Sequence, residues 1–428
     1  MRIARPLLLN HIVSPYGIAI ISTFGFLIAW TFPPGLYSEA IGEPDLIFFD
    51  AETLLYFLLC VAGFWGGLLL IEFVLPSAPL LETSPRYSKM KGLPLMLPLM
   101  LMTAMTGILV VQIYKSSPDL LVMLLSQQGN AVKLEQNQES TYGPLGWASV
   151  MLTSVLWWTY WMLINSRPDL PRRLRDRRFF SWLIFATGFL VQIALCVVKV
   201  SRSELMPVFG GLAILYLLDK IRRKKLTSAG LLRYSVVFSV VVVSLFSLFS
   251  LVRGAKDVDS NLSGFVGYTV ASYNRMTAVL RGSMHYPYGG SGIYLSNFLA
   301  YNRSFNAIIP LKNTMGWPEY LDLWSADFQA PQLAGLNPFL IWSGAFGSLF
   351  ADFGWATPLI LTFYGVIYGG LWRSIKMGTT IGLTLYPWLA FSSLFWFGSN
   401  SVFDHRFVFF FATGLLLMAY EKLLSIRI

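Results

Sequence analysis

Apolar runs long enough to cross a bilayer constrain this chain more than any other feature. A hydrocarbon core about 30 Å thick takes about 20 apolar residues in helical form, because backbone groups in lipid must pair within their own segment. Ten such runs can be read, at roughly 12–32, 53–75, 95–113, 145–165, 181–199, 204–219, 232–252, 356–372, 380–397 and 405–420. Composition agrees: 55% of residues are hydrophobic, 13% are charged and the mean hydropathy is +0.59. The expected fold is all-α, a polytopic helical membrane protein with about ten spans. It divides into an N-terminal bundle of seven spans (1–252), a large loop (253–355) rich in aromatics, Gly and Arg, and a C-terminal bundle of three spans (356–428).

The formal charge of +10 raises the question of nucleic acid, and its distribution answers it. If the N-terminus is cytoplasmic, 21 of the 32 Lys and Arg fall in the cytoplasmic segments, packed into short loops and the two ends. That bias orients a membrane protein with both termini in the cytoplasm and the 253–355 loop outside. The basic charge is therefore a topology signal and predicts no nucleic-acid partner. The same parity classifies 337–353 (NPFLIWSGAFGSLFADF): an eleventh crossing there would expose Arg373–Lys376 and the Lys422 tail on the outer side, so the segment is expected to be re-entrant or interfacial. Arg2 and Arg5 precede a first run with no small-residue cleavage site, which argues for a retained span over a removed signal peptide. Cys60 and Cys196 both lie in apolar runs, so neither a disulfide framework nor a thiol metal site is expected. Internal repeats are not evident, and the polar stretch from Tyr114 to Tyr142 reads as a surface hairpin of helices or a flexible cap.

Most outer cations have a plain explanation. Lys115, Lys199 and Arg253 sit at span ends, where long basic side chains snorkel to headgroups. Arg202 lies in the tight KVSRSELM connection beside Glu204, so it is either paired with Glu204 or a phosphate ligand. Ser263–Met284 reads as one helix stopped by Gly282, carrying Arg275 and Arg281 on stripes with polar or aromatic neighbours. Planar guanidinium donors suit phosphate oxygens. For Arg275 the alternative is a solvated helix face. The following HYPYGGSG stretch, 285–292, places His285, Tyr286 and Tyr288 among glycines. Tyrosine rings are platforms for sugar faces, and a histidine titrates where general base catalysis works. His11 reads as interfacial and His405 as part of a local Asp404–Arg406 ion cluster. Further on, Tyr301-Asn302-Arg303 and the run from Trp317 through Trp324 to Asp327 look carbohydrate-facing, or form an amphipathic helix on the membrane interface.

Several chemistries lack their motifs: there is no Walker-type phosphate loop, HExxH zinc helix, Cys/His cluster or GxSxG elbow. The Asp257–Asp259 pair and the sequons at Asn261 and Asn302 are too weak to use.

The chain resembles the bacterial O-antigen or oligosaccharide repeat-unit polymerases and, more distantly, the O-antigen ligases. The likeness rests on the span count with one long late outer loop, on Ser201-Arg202-Ser203 entering a span that reaches Asp219-Lys220, on Arg281-Gly282, and on GSLFADFGWATPLILTFYGVIYGG from Gly347 to Gly370. The resemblance implies a GT-C-like inverting glycosyltransferase of the inner membrane, with no metal and no cofactor. Its donor and acceptor are both glycans on undecaprenyl diphosphate. It further implies that Arg202 and Arg281 hold the leaving diphosphate; the residues themselves add Arg275 and Arg303 as further candidates there and Tyr286, Tyr288, Tyr301, Trp317 and Trp324 as sugar-facing rings. The ligases carry a late-loop His that has no match here, so His285, Asp327 and Asp352 stand as alternative bases. A chain-length regulator and a glycan flippase are the expected protein partners.

Three alternatives stay open: an O-antigen ligase; a GT-C enzyme using polyprenyl monophosphate sugars, with acids of the first outer loop (Glu39, Glu43, Asp45, Asp50) in catalysis; and a lipid-linked glycan flippase. The absence of repeats and the size of the outer loop count against the last.

Overall fold

The computed structural model describes residues 11–43, 49–75, 93–117, 119–126, 143–165, 172–252, 266–301, 306, 308–338, 340, 342–396 and 404–426. All regular structure among them is helical. The first three helices are α1 (Pro15–Trp30), α2 (Pro34–Ile41) and α3 (Ala51–Val74). Pro33 and Pro34 supply no backbone N–H, and α2 leaves α1 at 92°. Asp50 starts α3 by accepting the Thr53 N–H at 2.8 Å, a side-chain N-cap. There follow α4 (Leu93–Ser116), α5 (Leu120–Leu125), α6 (Gly143–Asn165), α7 (Arg172–Val198), α8 (Met206–Arg222) and α9 (Ser228–Val252), with a 3-10 turn at Arg202–Glu204 between α7 and α8. The insert holds α10 (Val270–Leu280), α11 (Ile293–Ala300), α12 (Leu311–Met315), α13 (Tyr320–Leu333) and α14 (Gly344–Phe353). The chain ends with α15 (Thr357–Lys376), α16 (Thr380–Leu394) and α17 (His405–Ile426).

Each of the ten apolar runs in the sequence coincides with one helix. Among the described residues six helices are long and apolar enough to cross a membrane, or seven if the bent α1–α2 pair is counted as one span. Their outward faces carry rows of exposed Leu, Ile, Val and Phe, such as Leu69, Leu70 and Phe73 on α3, as a lipid-facing surface requires. The segment 337–353 is helical from Gly344 and buried among helix ends: Tyr56 of α3 donates to the Phe346 carbonyl at 2.9 Å, and Phe346 meets the Phe57 and Trp396 rings at 5.0 and 5.2 Å. A 3-10 turn, Gly354–Ala356, then leads into α15.

A close helix crossing joins α3, early in the sequence, to α15, late in it. A side-chain carbon at Gly67 would lie 1.9 Å from the Thr362 carbonyl oxygen, one at Gly63 2.3 Å from that of Pro358, and one at Gly365 2.1 Å from that of Phe64. Gly63-x-x-x-Gly67 on α3 therefore faces Gly365-x-x-x-Gly369 on α15. Close backbone approach of this kind is how helices gain packing energy in lipid, where burying apolar surface supplies little drive. Gly67→Val is expected to destabilise the protein by about 2 kcal/mol or more through overpacking. Gly66→Ala and Gly370→Ala, where a Cβ meets nothing within 4 Å, stay close to the parent. Thermal unfolding in detergent checks the contrast.

Candidate functional site

The insert folds onto the helix ends, and α10 is its centre. Of the helix expected over Ser263–Met284, 266–268 and Val270–Leu280 are helical with a turn at Thr269 between them, and 263–265 lie outside the described residues. Its stop is as the sequence predicts: Gly282 takes φ +69°, and the N–H groups of Ser283 and Met284 both donate to the Ala278 carbonyl. What the sequence does not reveal is that α10 has no solvated face, since every residue from Val270 to Val279 is buried.

Arg275, in the middle, is therefore not a solvated helix residue. Its side chain is 0% exposed and forms an ion pair with Glu43, itself 2% exposed. It also donates to the carbonyls of Ala271 and Asn337, each at 3.2 Å, and Glu43 accepts from the Tyr37 hydroxyl and the Asn337 N–H. A guanidinium enclosed in this way is no diphosphate ligand in this conformation, and its assignment to the anion site is withdrawn. Arg281 differs. It caps α10 at the surface, 38% exposed, and clasps Asp50 with Nη2 at 2.5 Å and Nε at 3.1 Å from the same carboxylate oxygen. Burial alone would raise the Asp50 carboxyl, but hydrogen bonds from Thr53 and Arg281 hold it below its ordinary range. His285 is exposed on the adjoining turn, with Cε1 3.5 Å from where a Gly282 Cβ would stand. Asp50, Arg281 and the His285 turn thus share one rim of the bundle.

Burial pushes both later carboxyls, Asp327 and Asp352, up to about 6, but their hydrogen-bond partners differ. Asp352 accepts the Gly292 and Leu295 N–H groups, both at 3.1 Å, and so secures the start of α11. Asp327 lies on α13, where the buried Tyr294 hydroxyl donates to it at 2.7 Å. Burial pushes its carboxyl up to about 6, against the opposing pull of that hydrogen bond.

The aromatic residues divide likewise. Tyr286 is buried, its hydroxyl donating to Ser343 Oγ at 2.9 Å, and Trp317 is buried as well, so both are walls and not open platforms. Tyr288 is half-buried. Tyr301 and Trp324 belong to a ledge that the sequence did not delimit: Tyr301 meets Tyr320 at 5.2 Å, Tyr320 meets Trp324 at 6.2 Å, and Trp324 meets Phe328 and Trp342 at 5.5 and 6.2 Å. Tyr320 and Trp324 are exposed. Tyr320, Trp324 and Phe328 recur every fourth residue of α13, a stripe visible in the sequence once the helix is known. Asp327 lies beside this ledge, its charge acting on both Tyr301 and Tyr320.

Arg202 opens the 3-10 turn between α7 and α8, and its side chain is outside the described residues. Glu204 pairs with Lys199 at 3.1 Å, which removes Lys199 from the snorkelling cations. Arg406 lies over the Trp388 ring at 5.6 Å and 3.4 Å from Asp404, and it lines a recess with Thr153, Ser203 and Glu204. Arg303, Asp45 and Arg253 lie outside the described residues. No family model matches the chain, and no curated protein or solved structure matches it either.

The two arginines of α10 predict opposite outcomes. Arg275→Ala strands the buried Glu43 and is expected to cost about 3–5 kcal/mol of stability. Arg281→Ala breaks a partly exposed pair and costs about 1 kcal/mol or less. Thermal melts of both variants in the same detergent test this.

Proposed function

We propose that this protein is a glycosyltransferase of the bacterial inner membrane that joins undecaprenyl-diphosphate-linked oligosaccharide repeat units into a surface polysaccharide. In this reading ten helices cross the bilayer in a GT-C-like arrangement, both termini are cytoplasmic, and the insert faces outward. The observation that carries it is Asp327: a carboxyl pushed up to about 6 beside an exposed ledge of Tyr320 and Trp324. A base that titrates near the working pH is mostly ionised yet still basic, which suits proton abstraction from a sugar hydroxyl, and aromatic rings are the surface on which a sugar face rests.

The chemistry needs two further things, an electrophile and a stabilised leaving group. The acceptor hydroxyl gives its proton to Asp327 as its oxygen bonds to the donor's anomeric carbon. The bond from that carbon to the diphosphate breaks with inversion, and the diphosphate leaves with the electron pair. Arg281, partly exposed at the rim, and Arg202, on the turn between α7 and α8, supply positive charge for that developing anion. His285 stays as the alternative base. Asp352 is assigned to structure, because its carboxylate is committed to the backbone of α11.

In a strain lacking the gene, Asp327→Asn and Arg281→Ala are expected to abolish the glycan ladder, while the control Lys312→Ala keeps it. A wild-type ladder from Asp327→Asn would sink the reading. A null strain that still attaches one repeat unit to lipid A marks a polymerase, and one that attaches none marks a ligase. The pH dependence has a definite sign. Asp327 is raised from 3.8 to about 6, so its stabilising contribution is full below 3.8 and is lost as pH rises through about 6. Activity should therefore rise through pH 6, and Asp327→Asn should be at least as stable as the parent at pH 7.5 despite being inactive. Melting temperatures across pH 5 to 8 give the comparison.

A further inference from the structure

Asp352, Tyr294 and Asp327 form a chain of contacts across three helices. Asp352, near the end of α14, holds the Gly292 and Leu295 N–H groups and thereby fixes the first turn of α11. Tyr294, the second residue of α11, is buried, and its ring is tilted against Tyr286 at 5.0 Å. With helix start and ring both pinned, its hydroxyl has one direction, and it donates to Asp327 Oδ1 at 2.7 Å. Tyr286 is fixed in turn by its bond to Ser343.

We infer that Tyr294 is a positioning residue for Asp327: Asp352 seats the start of α11, the Tyr294 hydroxyl holds Oδ1, and Oδ2 is left as the oxygen that takes the proton from the acceptor sugar hydroxyl. The identity of that proton donor rests on the transferase reading; the hydrogen-bond chain does not. The proton passes from the acceptor oxygen to Oδ2 while Tyr294 keeps its own, since burial and the Asp327 charge push the Tyr294 hydroxyl far above its ordinary range. The titratable groups facing Asp327 are Tyr294 and Tyr286 from the 286–294 stretch, Tyr301, and Tyr320 on its own helix. Asp352 acts on Tyr294, Glu319 on Tyr301, and Asp404 and Arg406 on Tyr320. The Tyr294 bond favours the ionised carboxylate, and removing it must move the titration upward.

Infrared titration of the full-length protein in lipid nanodiscs reads this directly, with the Asp327 carboxyl band identified by its loss in Asp327→Asn. Tyr294→Phe, which keeps the ring, is expected to raise the midpoint by about one pH unit, the size of a hydrogen bond to a charged group. Asp352→Asn should move it the same way by less, and it carries the test if Tyr294→Phe does not fold. Tyr286→Phe should leave the midpoint in place. An unshifted midpoint in a folded Tyr294→Phe overturns the positioning role, whatever the glycan ladder shows. A shifted midpoint with a normal ladder from Asp327→Asn upholds the chain of contacts and overturns the transferase reading instead.

Discussion

Two charges taken out of water cost several kcal/mol each, and the Arg275–Glu43 pair offsets that only because further hydrogen bonds meet both partners. Those bonds come from segments far apart in the sequence: Tyr37 on α2, Ala271 on α10 and Asn337 before α14. The insert cannot lift from the first connection without leaving a charge buried and unmet. Position follows from this. Arg281 lies six residues beyond Arg275, about 9 Å along the helix axis, which carries it from the enclosed centre of α10 to the rim. Asp50 lies seven residues beyond Glu43 and reaches the same rim. One pair of segments thus supplies both a buried clamp and an exposed ion pair, and only the second keeps a cation within reach of a ligand.

The helices were legible in the sequence because the hydrocarbon thickness sets a length that apolar runs either meet or miss. The end of α10 was legible for a similar reason, since Gly282 can take the left-handed conformation that stops a helix. The fate of Arg275 was not. A stripe reading treats a charged residue in a short amphipathic helix as solvated, and burial of α10 on all sides depends on where α1, α2 and α14 arrive. The acids of the first outer loop and the arginines of the insert were weighed as rival catalytic sets, yet Glu43 pairs with Arg275 and Asp50 with Arg281. Their separation by more than 200 residues leaves no local trace of that pairing. The glycine crossing is the reverse case: Gly63, Gly67, Gly365 and Gly369 spell a small-residue packing pattern in the sequence itself.

The aromatic residues of the insert show how burial sorts one residue type into two environments. Tyr286 and Trp317 are rings inside a small core beneath the insert, in contact with the same cluster as Tyr294 and Leu323. Trp324 and Tyr320 stand on the outer side of α13. Nothing in the local composition separates these pairs, because the distinction depends on which face of α13 rests on that core. Leu323, Ala330 and Pro331 mark the inward face, and Asp327 falls between it and the ledge.

That intermediate position is what raises the Asp327 carboxyl without enclosing it. A carboxyl on the outward face would stay hydrated, and one fully inside the core with no cation beside it would be pushed far higher. Asp50 and Asp327 take opposite courses for reasons visible in their partners: hydrogen bonds from Thr53 and Arg281 outweigh burial at Asp50, whereas at Asp327 burial outweighs the single hydrogen bond from Tyr294. A carboxylate held low and already clasped by a guanidinium is a poor base, since taking a proton would cost it that pairing. Asp50 therefore belongs to the placement of Arg281; burial lifts both Asp327 and Asp352 to about 6, and they part in their partners, since Asp352 holds backbone N–H groups of α11 while Asp327 meets one tyrosine hydroxyl beside the aromatic ledge.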